Sequence, residues 1–194
     1  MLINREPDLH ACCEASEAKE ALEANRSCPH DLAIVDLSLS GISGLELIKK
    51  LRNEFPDISI LMMSMHDEAI YAEQALRAGA QGYLMKQAAT DTMLLAVRQV
   101  LNGELYVSDQ MRSRMLQQMM HGKSQESPLS CLTPGEFEVI HLIGMGLGTS
   151  EISHKLNRSV KTIESHRANI KKKLNLKSGI ELTHFAISLV HPSV

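Results

Sequence analysis

The chain contains no tryptophan, and aromatic residues make up only 3% of its 194 positions. Proteins that bind sugars or single-stranded nucleic acid by stacking use exposed aromatic rings, so this scarcity argues against both classes. No apolar run approaches the ~20 residues that a transmembrane helix needs, and the start MLINREPDLH lacks the apolar stretch of a signal peptide. We therefore expect a cytoplasmic protein with no membrane partner.

Cysteine is also scarce, and its spacing indicates no metal site. Cys12 and Cys13 are adjacent, while Cys28 and Cys131 lie far apart in the sequence. Neither a CxxC pair nor a Cys/His ligand spacing is present. The pattern therefore predicts reduced thiols, with no bound metal and no disulfide.

The net charge of −3 is divided unevenly along the chain. Residues 1–127 carry 12 Lys and Arg against 18 Asp and Glu, whereas residues 128–194 carry 8 against 5. Within 155–177 there are 8 basic residues and one acid, Glu164. A basic C-terminal part indicates a polyanionic partner.

Before residue 121, short apolar runs alternate with helical patterns. Each apolar run is nearly continuous, as expected of parallel strands that helices cover on both faces. The alternation predicts an α/β fold with a doubly wound parallel sheet. The runs lie at 32–37, 58–64 and 82–86, and the helical patterns lie at 45–55, 68–79 and 90–103.

After the polar stretch HGKSQESPLS, every pattern is helical. Thr133 as N-cap, Pro134 in the first turn and Glu136 three residues on form a capping-box start. Short helices joined by tight turns predict a helix-turn-helix module. We expect one domain at 1–120, a linker at 121–131 and an all-α domain at 132–194, with helices at 133–146, 149–157, 160–174 and 178–190.

Three polar residues lie at the carboxyl ends of successive predicted strands. Asp36, Ser64 and Lys86 should meet at one rim, because ligands of an open parallel sheet bind beyond the carboxyl ends of its strands. A carboxylate nucleophile, a hydroxyl and an ammonium group suit phosphoryl chemistry. The alternative is that each residue simply ends its strand.

The helix predicted at 160–174 has two different faces. Val160, Ile163, Ile170 and Leu174 form an apolar stripe at helical spacing, and the opposite face is basic with short side chains. In helix-turn-helix proteins the second helix lies in the major groove, so the basic face is expected to meet duplex DNA. The alternative is a solvated, lysine-rich surface helix.

The residues of the basic face and two of their neighbours, Thr162 and Arg167, have expected roles. The predicted face consists of Lys161, Glu164, Ser165, Ala168, Lys171 and Lys172. Glu164 can accept a hydrogen bond from cytosine N4, and the small side chains of Ser165 and Ala168 allow close approach to base edges. Thr162 can donate to a phosphate near the helix N-terminus. The remaining residues supply affinity that is independent of sequence: Lys161, Arg167, Lys171 and Lys172.

Two parts of the chain resemble known families. Residues 9–120 resemble a response-regulator receiver domain, which has a flavodoxin-like sheet, through AIVDLSLSGISGLELIKKLR, ILMMSMHDE and ALRAGAQGYLMK. Residues 132–190 resemble the LuxR-type helix-turn-helix through LTPGEFEVI, GLGTSEISHKL and SVKTIESHRANIKKKL. The combination resembles the NarL/FixJ class of transcriptional regulators.

The resemblance implies partners and site residues. Asp36 would accept phosphate from a histidine kinase, Ser64 and Lys86 would bind the phosphoryl group, and Tyr83 matches an aromatic switch position. Family base contacts align near Glu164, Ser165 and Ala168. The last helix, 181–190, would make the contact of a homodimer on DNA.

The chain departs from the receiver pattern at its start. Family receivers begin with a strand that ends in an acidic pair holding Mg²⁺, and then a first helix, and neither has a counterpart here. Residues 9–15 match the second strand and 16–27 the next helix. The absence of the first strand is expected either to force the strand at 9–15 to pair directly with 32–37 or to leave a gap between them. Mg²⁺ is therefore expected only if the receiver is phosphorylated.

This departure from the receiver pattern leaves two hypotheses about the function open. The first is a DNA-binding transcriptional regulator whose receiver is atypical or not phosphorylated. The alternative is a dimerisation or protein-interaction module, with the receiver as scaffold and DNA binding secondary. An enzyme is not expected, because no nucleophile–His–acid triad and no phosphate-cradling glycine loop is present.

Overall fold

The computed structural model describes residues 2–39, 42–120 and 128–190. The chain forms two compact units, Met1–Gln117 and Gln118–Val194. The predicted linker falls largely on residues 121–127, which lie outside the described residues. No helix in the described ranges is both long and apolar enough to cross a membrane.

The N-terminal unit is an α/β structure, as predicted. Its strands form a parallel sheet in the order β1-β2-β3, with Asp36 opposite Met63 and Ser64 opposite Met85. The strands are β1 (Leu32–Asp36), β2 (Ser59–Ser64) and β3 (Gly82–Met85). The helices are α1 (Ala18–Ser27), α2 (Gly44–Glu54), α3 (Glu68–Ala78), α4 (Thr90–Leu101) and α5 (Asp109–Met120).

The core explains why the apolar runs become strands. Ile60, Leu61 and Met62 in the central strand are fully buried on both faces of the sheet, as a continuous apolar run requires. On one side, Leu61 packs in a cluster with Val97 and Val100 of α4. The α3 helix ends at Gly79 in the left-handed conformation (φ 112°), which glycine adopts without steric cost.

The strand predicted at 9–15 is wrong. These residues form no ladder with β1 or any other described strand. The stretch LHACCEA contains no Val, Ile, Thr, Tyr, Phe or Trp, the residues that strands favour, and its residues 12–15 are exposed. The outcome is the predicted gap: the free edge of β1 borders a cavity of about 630 Å³.

Besides short 3₁₀ helices at Ile3–Arg5 and Pro128–Cys131, two features of the described residues were not predicted. One is α5, in which Met111 is buried but most residues are exposed, so no clear apolar stripe marks it. The other is a single parallel bridge between Gly82 and Tyr106. A one-residue bridge is too short to leave an alternating pattern.

The C-terminal unit is helical throughout its described part. The capping box predicted at Thr133 and Glu136 is confirmed. A Cβ atom on Gly144 would lie 2.2 Å from the carbonyl oxygen of Ala186, so glycine lets two helix backbones approach closely. The helices are α6 (Pro134–Gly144), α7 (Thr149–Lys155), α8 (Val160–Lys173) and α9 (Gly179–Val190).

The apolar stripe of α8 is confirmed in part. Ile163 and Ile170 are fully buried, and α8 packs on α6, α7 and α9. Leu174, the C-cap, is half-buried. The prediction for Val160 is wrong, since it is 45% exposed. Val160 is the first residue of the helix, so no preceding turn packs beside it.

Candidate nucleic-acid interface

The turn between α7 and α8 fixes the direction of α8 relative to α7. Asn157 adopts the left-handed conformation (φ 49°). The buried hydroxyl of Ser153 donates to the carbonyl oxygen of Arg158 at 2.6 Å, and the Arg158 N–H donates to the Ser153 carbonyl at 3.0 Å. Sequence reasoning missed Ser153, for which the available signal is a serine in the last turn of a short helix.

The N-terminus of α8 is capped by its own side chains. Ser159 accepts a hydrogen bond from the backbone N–H of Thr162 at 3.1 Å. The hydroxyl groups of the two residues lie 2.8 Å apart. Thr162 is therefore half-buried and already hydrogen-bonded at the helix start.

Five of the predicted DNA-binding residues form one exposed surface. At about 100° per residue they span an arc of about 100°, opposite the buried Ile163 and Ile170. The Ser165 hydroxyl donates to the Lys161 carbonyl at 3.0 Å, which leaves its lone pairs free to accept. We call this surface the reading arc; its residues are Lys161, Glu164, Ser165, Ala168 and Lys172.

The other predicted residues lie beside the reading arc. Thr162, Arg167 and Lys171 are half-buried and fall outside the arc on the helical wheel. Their side chains flank the exposed surface on both sides. This placement suits contacts to a backbone on either side of a groove better than contacts to bases.

An ion pair anchors the C-terminal end of α8. Lys173 Nζ lies 2.6 Å from Glu136 Oε2, and the Thr133 N–H donates to the same carboxylate at 2.8 Å. Burial raises the pKa of Glu136, but the hydrogen bonds from Lys173 and Thr133 outweigh it and hold that pKa below its usual value. Lys173 thus binds the scaffold, a role that sequence spacing did not reveal.

The rim of the sheet brings together the three predicted residues. Lys86 forms an ion pair with Asp36 Oδ2. Ser64 is fully buried, and its hydroxyl accepts from the backbone N–H of His66 at 3.0 Å. Asp36 Oδ1 also accepts from the Ser38 N–H at 3.2 Å. The alternative, in which each residue only ends a strand, does not account for the Lys86–Asp36 pair.

Tyr83 lies beneath this rim. It is fully buried, and its hydroxyl donates to the carbonyl oxygen of His66 at 2.8 Å. Burial raises the pKa of Tyr83, so the phenol stays protonated at neutral pH. The side chain therefore links β3 to the loop that follows Ser64.

A glycine shapes the approach to Asp36. The Gly44 N–H donates to the Leu37 carbonyl at 2.8 Å. A Cβ atom at position 44 would lie 2.1 Å from the Asp36 carbonyl oxygen, a distance that no side chain can occupy. Gly44 therefore sets the start of α2 directly against the strand end.

The rim does not match the donor set that Mg²⁺ prefers. Mg²⁺ takes near-octahedral oxygen ligands, usually with carboxylates among them. One oxygen of Asp36 is paired with Lys86. In the described part of the chain, Asp36 belongs to no group of three converging Asp, Glu, His or Cys side chains.

Comparison with known families supports the interpretation of both units. A family model for the response regulator receiver domain matches residues 2–98. A second, for bacterial regulatory proteins of the luxR family, matches residues 130–186. This chain belongs to the response regulators with a LuxR-type DNA-binding domain. The family and the fold class predicted from the sequence are confirmed.

Individual relatives of this response regulator span nearly its whole length. Oxygen regulatory protein NreC of Staphylococcus carnosus (strain TM300) is 35% identical over 193 residues, covering 96% of this chain and 89% of the relative. A structure of RcsB from Salmonella enterica serovar Typhimurium, bound to promoter rprA in the presence of phosphomimetic BeF3−, is 25% identical with a TM-score of 0.60, covering 96% and 89%. A structure of two RcsB dimers bound to two parallel DNAs has 25% identity and a TM-score of 0.55, with the same coverage.

Proposed function

We propose that this response regulator controls transcription by inserting α8 into the major groove of duplex DNA. The observation that carries the proposal is the reading arc, which stays exposed while the opposite side of α8 is buried against its own unit. RcsB, which is similar over 96% of this chain, has been solved bound to a promoter. A major groove is wide enough to admit an α-helix.

The proposal divides the side chains of α8 by task. Glu164, Ser165 and Ala168 face base edges, where Glu164 accepts from cytosine N4. The cationic residues and Thr162 contact phosphates and position the helix without reading sequence. The latter group comprises Lys161, Thr162, Arg167, Lys171 and Lys172.

We further propose that the protein acts as a homodimer that pairs through α9. Ile180 is 73% exposed and Ile187 is 43% exposed, and a spacing of seven residues places them on the same side of the helix. Two large apolar side chains on one exposed side favour burial against a second copy. RcsB dimers on DNA provide a precedent.

The receiver is proposed to act without stable phosphorylation. Receiver membership makes a histidine kinase the expected partner, with Asp36 as the phosphoacceptor. However, no group of converging carboxylates that could hold Mg²⁺ includes Asp36 among the described residues. DNA binding is therefore proposed to be independent of a phosphoryl group at Asp36.

The remaining assignments follow from this function. We propose a receiver at 1–120, a linker at 121–131 and a DNA-binding domain at 132–194. The protein is proposed to work in the cytoplasm, where its DNA lies, and no enzymatic turnover is assigned to it.

A second candidate function is a protein-interaction module in which the receiver is the scaffold. The free edge of β1 beside the cavity of about 630 Å³ favours it, because an unpaired strand edge invites a further strand. Light scattering on the full chain separates the two. Ile180→Asp with Ile187→Asp makes the protein monomeric if α9 pairs the copies, and leaves a dimer if the receiver does.

The DNA-binding proposal is tested by mobility shift on duplexes selected from a random library. The triple variant Lys161→Ala, Glu164→Ala, Ser165→Ala is expected to lose specific binding. Lys49→Ala with Lys50→Ala removes two exposed lysines from α2 and serves as the control, which is expected to bind normally. Full binding by the triple variant would contradict the proposal.

A further inference from the structure

Two cysteines and a histidine converge in the N-terminal unit, and none of them belongs to the rim or to the reading arc. Cys12 and Cys13 precede α1, and His30 lies in the loop between α1 and β1. The two sulfur atoms and a ring nitrogen of His30 all lie within 4.8 Å of one another. In the described ranges, no other group of three or more Cys, His, Asp or Glu side chains converges in this way.

His30 is held in the orientation and tautomer that a metal ligand needs. Asn25 Oδ1 accepts from the backbone N–H of His30 at 3.0 Å, which identifies that atom as the amide oxygen. The same oxygen lies 3.0 Å from His30 Nδ1, so Nδ1 carries the proton. His30 Nε2 is left with a lone pair, 3.2 Å from Cys13 Sγ.

This arrangement has the supporting contact of a built metal site. Histidine ligands usually donate their second ring N–H to an oxygen acceptor, which fixes the ring. Asn25 provides that acceptor from α1 and is itself only 6% exposed. The amide oxygen of Asn25 thus contacts both the backbone N–H and the ring Nδ1 of His30.

We propose that Cys12, Cys13 and His30 bind a zinc ion, with water in the fourth position. Two thiolates and an imidazole are typical zinc ligands, and tetrahedral Zn–S bonds of about 2.3 Å and Zn–N bonds of about 2.0 Å place ligand atoms about 3.5–3.8 Å apart. The sulfur and nitrogen atoms need to move by about 1 Å at most to reach that spacing. Both cysteines are exposed, so their side chains are free to rotate.

Binding exchanges protons for the metal. A thiol binds Zn²⁺ as the thiolate, so each of the two cysteines releases its proton as its Zn–S bond forms. The bound ion would tie residues 12–13 to the loop that enters β1.

The sequence did not suggest this site because its ligands follow no known spacing. Adjacent cysteines and a histidine 17 residues later match no zinc motif. In a regular strand, Cys12 and Cys13 would point to opposite faces. Because residues 9–15 form no ladder, the backbone can direct both sulfur atoms to one point.

Cobalt titration of the reduced full chain tests the proposal. We expect one Co²⁺ per chain, with thiolate-to-cobalt absorption bands of a tetrahedral site that Zn²⁺ then removes. Cys13→Ser and His30→Ala are expected to weaken binding at least tenfold, and Asn25→Ala by about tenfold. Cys131→Ser, which removes an exposed cysteine of the other unit, should leave binding unchanged.

A second measurement uses the unmodified protein, so it does not depend on how variants fold. Zn²⁺ should slow alkylation of Cys12 and Cys13, read by peptide mass spectrometry, while Cys131 reacts at an unchanged rate. Absence of stoichiometric metal, equal protection of Cys131, or full affinity in folded Cys13→Ser and His30→Ala proteins would each overturn the proposal.

Discussion

Single residues of the C-terminal unit divide into those that hold α8 and those that α8 presents. Ile163 and Ile170 bury its inner side, and Lys173 fixes its end to Glu136. The reading arc makes few contacts of its own beyond the hydroxyl bond of Ser165. Substitutions in the two groups should therefore have different effects, one on stability and the other on DNA binding.

Lys172 is predicted to contribute a phosphate contact and no sequence information. Lys172→Ala should weaken binding to all duplexes by a similar factor, and reduce the slope of log affinity against log salt by about 1. Fluorescence anisotropy at several salt concentrations measures both quantities. Lys50→Ala on α2 is the matched control, and an unchanged slope in Lys172→Ala would contradict the prediction.

Glu136 is predicted to make the stability of the C-terminal unit depend on pH. Because its pKa is lowered in the folded protein, the stabilisation is complete above the ordinary glutamate pKa of about 4.3. It is lost as the pH falls through the lower, folded-state value.

Glu136→Gln tests this dependence. It should cost about 2 kcal/mol at neutral pH by removing the charged hydrogen bonds, and should flatten the loss of stability in acid. Hydrogen exchange of α8, corrected for intrinsic rates, measures the opening free energy. Glu164→Gln changes an exposed residue of α8 and should leave the opening free energy of α8 as it is in the unmodified protein. An equal effect of both substitutions on that free energy would refute the assignment.

At the scale of elements, hydrophobic periodicity predicted those strands and helices whose sequence pattern is set by burial on one or two faces. The strands that became β1, β2 and β3 are apolar because both faces of the sheet are covered, and α6 to α9 carry caps and stripes that local sequence reveals. The strand at 9–15 was predicted from its match to the family, although the stretch has none of the β-branched or aromatic residues that strands favour. For α5, the burial of Met111 leaves no repeating stripe.

Sequence analysis predicted the part of the candidate site that depends on helical periodicity and missed the part that depends on tertiary contacts. The reading arc follows from helical periodicity alone, so its five residues were identified from the sequence. Ser153, Lys173 and His30 act through partners distant in the sequence or across a turn. Such contacts arise from tertiary packing, so spacing could not reveal them.

The packing of α6 on α9 is predicted to require glycine at position 144. Gly144→Ala would bring a methyl group to 2.2 Å from the Ala186 carbonyl, forcing the helices apart. We expect a loss of about 1–3 kcal/mol, measured by thermal unfolding with circular dichroism.

Gly179→Ala is the control for this change. Position 179 has open space around a built Cβ atom, and it lies at the start of α9. That substitution should be neutral or stabilise the protein by up to about 1 kcal/mol. Equal effects at the two positions would show that close packing is not the cause.

At the scale of the whole molecule, the chain joins an acidic receiver unit to a basic DNA-binding unit. Residues 1–127 carry an excess of acids and residues 128–194 an excess of bases. This division confines attraction for a polyanion to the C-terminal part.

The receiver is predicted to take up no stable phosphoryl group from a small donor. The lack of converging carboxylates around Asp36 among the described residues disfavours Mg²⁺-assisted transfer. Incubation with acetyl phosphate and Mg²⁺, followed by intact mass spectrometry, should leave the mass unchanged. A phosphoryl adduct that disappears in Asp36→Ala would show that the rim is a working phosphoacceptor site.

The central claim, that the exposed side of α8 reads bases, is tested most directly by selecting preferred duplexes for the unmodified protein and for Glu164→Gln. A carboxylate accepts from cytosine, whereas a glutamine amide pairs with adenine. The account predicts that the preferred base changes from cytosine to adenine at one position in each half-site. Identical preferences of the two proteins would contradict it.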